Sequence, residues 1–251
     1  MPVSSLGPGW DGARNLGDLG GLPLAAGGAT RPRRVYRSAA PEWMTSRGWA
    51  EAREAGLATV IDLRNEMERG RTDLHPDCDS DVMAGIAVVH APTEDPEDEE
   101  FLAECGPWLD HPRSWTSNLR FYPDKIARVL HAVAESNGPV LIHCAGGRDR
   151  TGMIGSMLLM LAGATDEAVV ANYEAGFRGA AQHRGHGLAF DVDTGQWVAQ
   201  AEEALGEEEL EAALAERRPA LMEWRRTFDV EAYVLGSGVE PATLTRLQLL
   251  V

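Results

Sequence analysis

Two hydrophobic periods divide the chain. Residues 58–63 (ATVIDL), 86–90 (IAVVH) and 139–143 (PVLIH) are short apolar runs, which predicts buried strands. Val35, Tyr36 and Arg37 suit a further short strand. Within 125–135, Ile126, Val129, Leu130 and Val133 recur at helical spacing, and Asn137 and Gly138 follow as stop signals. Thr45 or Ser46 can cap a helix running to about Ala55, with Gly56 behind it. Residues 151–162 are apolar on nearly every side, the pattern of a helix buried all round. Farther on, helices are expected over 166–177, 196–205, 207–217, 219–227 and 240–250, with Pro219 and Pro241 in first-turn positions. A Gly/His-rich loop, 179–195, separates the first two. Residues 93–118 carry an acidic stretch at 94–100 and then Pro107 and Pro112, and read as a loop or partly helical excursion. Strands alternating with helices, followed by a helical tail, predict an α/β core with helical additions. The run 139–143, set between a helix stop and a Gly-rich loop, is expected as a central parallel strand.

That loop carries the chemistry. His143-Cys144-Ala145-Gly146-Gly147-Arg148-Asp149-Arg150-Thr151-Gly152 follows a predicted strand and opens a predicted helix. A tight glycine-containing turn can aim its backbone N–H groups at an anion, and the helix N-terminus adds partial positive charge. Arg150, six residues after Cys144, can grip two phosphate oxygens with its planar fork, where a lysine would supply only a point charge. The same field favours the thiolate form of a cysteine, the form that attacks phosphorus. His143 can orient the loop, and the Thr151 hydroxyl can donate to the thiolate or assist its departure. A lone buried cysteine is more often inert packing. Packing alone does not account for a charged, Gly-rich helix entrance.

Composition narrows the remaining classes. The length, 251 residues, suits one large domain or one domain with an insertion. A net charge of −16 argues against general binding of nucleic acid or anionic membranes. No apolar run reaches membrane-spanning length, so stable membrane insertion is not expected. Cys78, Cys105 and Cys144 are too few and too scattered for a disulfide framework. Residues 1–10 lack the features of a signal peptide, so a cytoplasmic home is expected, with secretion by another route left open. His183 and His186 have no carboxylate or cysteine at metal-ligand spacing, and neither a metal nor a cofactor is expected.

The loop resembles that of the protein tyrosine phosphatase superfamily, a cysteine and an arginine separated by five residues. It is most similar to the bacterial branch with His-Cys-x-Ala-Gly-Lys-Asp-Arg-Thr-Gly, which includes secreted mycobacterial phosphatases and relatives acting on phosphoinositides. Here Gly146 replaces the alanine and Arg148 the lysine. Asn15-Leu16-Gly17-Asp18-Leu19-Gly20-Gly21, Tyr36-Arg37-Ser38 and Asp62-Leu63-Arg64 with Glu66 and Glu68 resemble the family's N-terminal segments, although Leu16-Gly17 stands for Phe-Arg. The segment 233–251 resembles its closing helix.

The resemblance implies a single phosphatase domain over 1–251 with the cysteine phosphatase fold. That fold is a twisted, mainly parallel sheet flanked by helices, with a C-terminal helical lid. Residues 166–227 would supply the lid or simply complete the fold. The implied reaction is phosphomonoester hydrolysis through a phosphocysteine on Cys144. The phosphate ion would sit against residues 145–150 (Ala145, Gly146, Gly147, Arg148, Asp149 and Arg150). The substrate would be a phosphorylated protein, phosphotyrosine first, or a phospholipid headgroup. Asp62 and Arg64 would pair behind the site. Aligning HAPTED (90–95) with the family nominates Asp95 as general acid, with Glu94, Asp98, Glu99 and Glu100 competing; Asp149 is the rival. Arg148 could reach a second phosphate or only partner Asp149. A phosphate-binding module without turnover, and a sulfur- or arsenate-handling enzyme using Cys78 and Cys105, remain as other classes.

Overall fold

The structure, a computed structural model, describes residues 9–79, 81–183, 187–199 and 205–250. His186, one of the two loop histidines, lies outside them. The elements run β1 (Gly17–Asp18), β2 (Val35–Ser38), α1 (Ser46–Glu54), β3 (Thr59–Asp62), β4 (Ala87–His90), α2 (Glu99–Cys105), α3 (Trp115–Phe121), α4 (Pro123–Glu135), β5 (Val140–His143), α5 (Asp149–Leu161) and α6 (Asp166–Ala181). They continue with β6 (Leu188–Asp191), β7 (Gln196–Ala199), α7 (Glu207–Thr227), α8 (Val230–Gly236) and α9 (Pro241–Leu250).

Five strands form one sheet in the order β1-β2-β5-β3-β4. β1 is antiparallel at the edge, and the other neighbours are parallel. β5 is central, as expected, and its four residues are all buried. Alternation across the pleat splits the core in two. Val140 and Ile142 of β5, with Val35 and Ile61, face a large cluster built with α4, α5 and the C-terminal helices. Leu141, Tyr36 and Val60 face a smaller one with Trp10, Trp49 and Leu57. The chain is therefore α/β, a mainly parallel sheet flanked by helices. No helix among the described residues is long and apolar enough to cross a membrane.

Thr45 caps α1 as the sequence suggests, its side chain accepting from the Gly48 amide at 3.2 Å. α5 is buried from Thr151 through Leu161, matching its unbroken apolar pattern.

The C-terminal half departs from expectation in three places. Residues 196–199 are a strand, not the start of a helix. They pair antiparallel with β6, Phe190 opposite Trp197. The turn between them is set by Asp191, whose carboxylate accepts from the Asp193 and Thr194 amides at 2.9 and 3.1 Å. The helices expected at 207–217 and 219–227 are one helix, α7, with Pro219 inside it. Buried Leu210, Leu214, Leu221 and Trp224 form one stripe across the proline, and that burial outweighs the one backbone bond the proline lacks. The segment resembling a single closing helix is two, α8 and α9.

Candidate active site

The loop 144–148 leaves the C-terminal end of β5 and enters α5, a buried helix thirteen residues long. Brackets from the far ends of the chain hold its shape. Gly147 has φ +68°, and a Cβ there would lie 2.4 Å from the Ser38 carbonyl oxygen. Only glycine fits such a turn packed against a strand end. Asn15 donates its amide to the carbonyls of Gly146 (2.8 Å), Gly147 (3.1 Å) and Gly176 (2.8 Å). Buried Arg37 donates to the Gly147 carbonyl and, at 2.8 Å, to that of Asn172. Burial pushes Arg37 down to about 10, still charged at neutral pH. α6 passes so close that a Cβ on Gly176 would overlap this guanidinium.

These contacts turn the Gly146 and Gly147 carbonyls toward the brackets. A cavity of about 420 Å³ opens on the other side, within the range of small-molecule sites. Cys144, Ala145, Gly146, Arg148, Asp149 and Arg150 line its floor, and Cys144 is only 3% exposed. The loop residues expected to bind phosphate are therefore brought together, except that Gly147 lies behind the wall as part of the bracket. His143 is also behind it. Its ring stands 3.7 Å from Asp62, and burial pushes its pKa down to about 4. The expected Asp62–Arg64 pair is present as a two-point bridge of 2.9 and 2.8 Å, extended by Arg64 to Glu42 at 2.7 Å. Burial opposes the charge on Asp62, but Arg64 holds its carboxyl below the usual range. The Thr151 hydroxyl is buried without a hydrogen-bond partner, so the expected bond to the Cys144 sulfur is not made.

Two carboxylates face Arg150: Glu68, from the family-like segment after Arg64, and Glu94, named from the sequence only as a competitor to Asp95. Glu68 accepts from both its η nitrogens, at 2.5 and 2.6 Å. Glu94 stands 3.4 Å from Nη1. Burial works against the charge of Arg150, but Glu68 and then Glu94 outweigh it and hold the guanidinium charged. Asp149 accepts from Arg148 Nε at 2.9 and 3.2 Å. Arg148 also donates to Asp110 at 3.3 Å, and Arg217 reaches the same oxygen at 3.1 Å.

Asp95 does not reach the cavity. Its carboxylate turns back to the Glu97 amide at 3.0 Å, while the preceding Glu94, 7% exposed, takes the place facing the loop. Glu97, Asp98, Glu99 and Glu100 are likewise absent from the lining. Cys78 and Cys105 do not line it either; burial pushes the Cys105 thiol up to about 11. Among the described residues no three His, Cys, Asp or Glu side chains converge as metal ligands would.

The cover comes from within the span expected to form a lid, but from its hairpin. Leu188, Phe190, Val192 and Trp197 face the loop across the cavity, whereas no residue of α6 or α7 lines it. Trp197 Nε1 donates to the Pro96 carbonyl at 3.0 Å, and Phe190 packs onto Gly106, tying the hairpin to the segments opposite.

The chain shows likeness to several known proteins. Over 169 residues the chain is 28% identical to the "Triple specificity protein phosphatase PtpB" of Mycobacterium tuberculosis, covering 58% of this chain and 61% of that one. A 40-residue stretch is 50% identical to a "Tyrosine-protein phosphatase" of Nostoc commune, covering 16% of this chain and 14% of that one. The crystal structure of P. aeruginosa TpbA superposes with a TM-score of 0.42 at 18% identity, covering 90% and 91% of the two chains. The chain spans about 60% of the length of the curated relatives it matches over its greater part. The model of the tyrosine phosphatase family matches residues 8–250, and the chain belongs to that family.

Proposed function

We propose that this chain is a cysteine-dependent phosphatase that hydrolyses phosphomonoesters, protein phosphotyrosine first among them. The observation that carries the reading is the meeting of Cys144 and Arg150 on one cavity floor at the N-terminus of a buried helix. Cys144 attacks phosphorus and the ester oxygen departs. The backbone N–H groups of 145–150, the helix N-terminus and Arg150 stabilise the equatorial oxygens. Water then attacks the phosphocysteine, releasing phosphate and restoring the thiolate. His143, Asn15 and Arg37 hold the loop from behind. The described residues form one phosphatase domain, covered by the hairpin 188–199 within the span 166–227.

The aromatic and aliphatic cover supports an aryl phosphate as substrate. Phe190 and Trp197 give an aromatic leaving group apolar surface to pack against. A phosphoinositide would need a cation for its second phosphate, and Arg148 is already bridged to Asp149 and Asp110. The relative named a triple specificity phosphatase keeps that broader range as the alternative.

The deciding experiment is hydrolysis of p-nitrophenyl phosphate with EDTA present, by the wild type and Cys144→Ser. The expected result is activity that the serine variant loses. A wild type that binds vanadate without turnover would instead make the chain a phosphate-binding module.

A further inference from the structure

We propose that Glu94, rather than Asp95 or Asp149, is the carboxylic acid that protonates the departing oxygen. This assignment rests on the phosphatase reading above.

Geometry separates the three carboxyls. Asp95 lies outside the cavity, held by the Glu97 amide. Asp149 lines it, but both its oxygens accept from Arg148 Nε at 2.9 and 3.2 Å. Burial pushes the Asp149 carboxyl up, but a carboxyl bridged this way serves first as the partner of the Arg148 guanidinium. Glu94 lines the cavity and makes no close bond. Its Oε1 is 3.4 Å from Arg150 Nη1 and its Oε2 is 3.4 Å from Asn118 Nδ2. Glu68 has taken the two-point grip on Arg150, at 2.5 and 2.6 Å, that would otherwise hold Glu94 as a carboxylate.

The groups facing Glu94 are Arg150 and Asp149 from α5, Glu68 from the turn after β3, and Lys125 from α4. Burial pushes the Glu94 carboxyl up; Arg150 pulls it back, but Glu68 and Asp149 add to the rise. Glu68 moves the other way. Burial would raise it too, but Arg150 dominates and holds it ionised. Two acids beside one guanidinium thus shift apart: Glu68 is held as the carboxylate that positions it, and Glu94 keeps its proton more tightly.

The proton balance closes. As the bond from Cys144 Sγ to phosphorus forms, the bond from phosphorus to the ester oxygen breaks. That oxygen takes the Glu94 proton and leaves as the alcohol. Glu94, now a carboxylate, accepts a proton from the water that attacks the phosphocysteine. The sulfur departs as thiolate, inorganic phosphate leaves, and Glu94 is neutral again.

The test is steady-state kinetics on p-nitrophenyl phosphate and phenyl phosphate across pH, for the wild type, Cys144→Ser, Glu94→Gln, Glu94→Asp, Asp149→Asn and Asp95→Asn. The phenyl ester has the poorer leaving group and depends more on the acid. In kcat/KM, which covers only the steps through leaving-group departure, Glu94→Gln is expected to lose about 100-fold on phenyl phosphate, far less on the nitrophenyl ester, and the alkaline limb of the profile. Glu94→Asp is expected to recover part of the loss and the limb. Equal losses on both esters, a retained alkaline limb in Glu94→Gln, or the leaving-group signature in Asp149→Asn or Asp95→Asn would overturn the assignment while the phosphatase reading stands. Failure of the wild type on both esters, or full activity in Cys144→Ser, would overturn the phosphatase reading and this assignment together.

Discussion

Arg150 and Glu68 meet fork to fork, both guanidinium η nitrogens on both carboxylate oxygens. The pair links the loop after β5 to the turn after β3 and sets the angle at which the arginine faces the cavity. Glu68→Gln leaves a neutral amide with one acceptor oxygen in place of two. We expect vanadate affinity and kcat to fall by about 10- to 100-fold, roughly the 1.4 to 2.7 kcal/mol of a lost charge-assisted bond. Vanadate inhibition of that variant at wild-type concentrations would show that Arg150 keeps its pose unaided.

Gly147→Ala should fail twice. The residue sits at φ +68°, and its new methyl would lie 2.4 Å from the Ser38 carbonyl oxygen. Ser38 belongs to β2, which pairs with β5 and cannot retreat cheaply. A destabilisation of about 2 kcal/mol or more is expected by urea unfolding, with loss of activity in the fraction that folds. Wild-type stability would mean the loop has another conformation open to it.

Asn15 should matter to the rate without touching substrate. Its amide spans three carbonyls, so Asn15→Ala and Asn15→Asp both remove the donor. Each should lower kcat by about tenfold with a smaller change in vanadate affinity, because the carbonyls left behind must find other partners. If Asn15→Asp keeps full activity, the amide is not what braces the loop.

Acid should weaken the fold through His143. Burial holds its pKa at about 4, against an ordinary 6.5. Between those values the unfolded chain binds a proton that the folded chain refuses. The contribution is therefore intact above pH 6.5 and is lost as pH falls from 6.5 towards 4, by roughly 2–3 kcal/mol. Urea midpoints at pH 7.5 and 4.5 should converge more closely in His143→Gln than in the wild type. Identical pH slopes would remove His143 from this account.

Cys78 and Cys105 should be dispensable for turnover. Neither lines the cavity, and the raised Cys105 thiol is poorly nucleophilic at neutral pH. Activity in the Cys78→Ser and Cys105→Ser variants should stay within about twofold of wild type, as surface or packing changes usually do. A large loss in either would revive a thiol relay.

What the sequence disclosed follows from how local each signal is. The strand at 140–143, its loop and the buried helix lie in one continuous stretch, and their apolar pattern and glycines could be read directly. The hairpin was less legible. Its turn signal, Asp191 to Gly195, was present, but Gln196 to Ala199 read equally well as helix until Phe190 paired with Trp197. Pro219 misled because proline marks helix starts, whereas the stripe of Leu210, Leu214, Leu221 and Trp224 that overrides it shows only when the helix is packed. Glu68 and Asn15 stood within segments already recognised, but their partners are 82 and 131 residues away. Glu94 and Asp95 are neighbours with similar chemistry. Only the direction of the backbone after β4 decides which of them faces the cavity.

The bracket behind the loop also sets when the site comes into being. Asn15 ties Gly146 to Gly176, contacts that reach across 131 and 161 residues. A chain emerging from the ribosome exposes the whole HCAGGRDRTG stretch well before residue 176 has left the exit tunnel. During that interval the central strand can pair with its neighbours, yet the turn carrying the thiol lacks part of its frame. The frame of the loop is thus complete only once α6 is in place over Arg37.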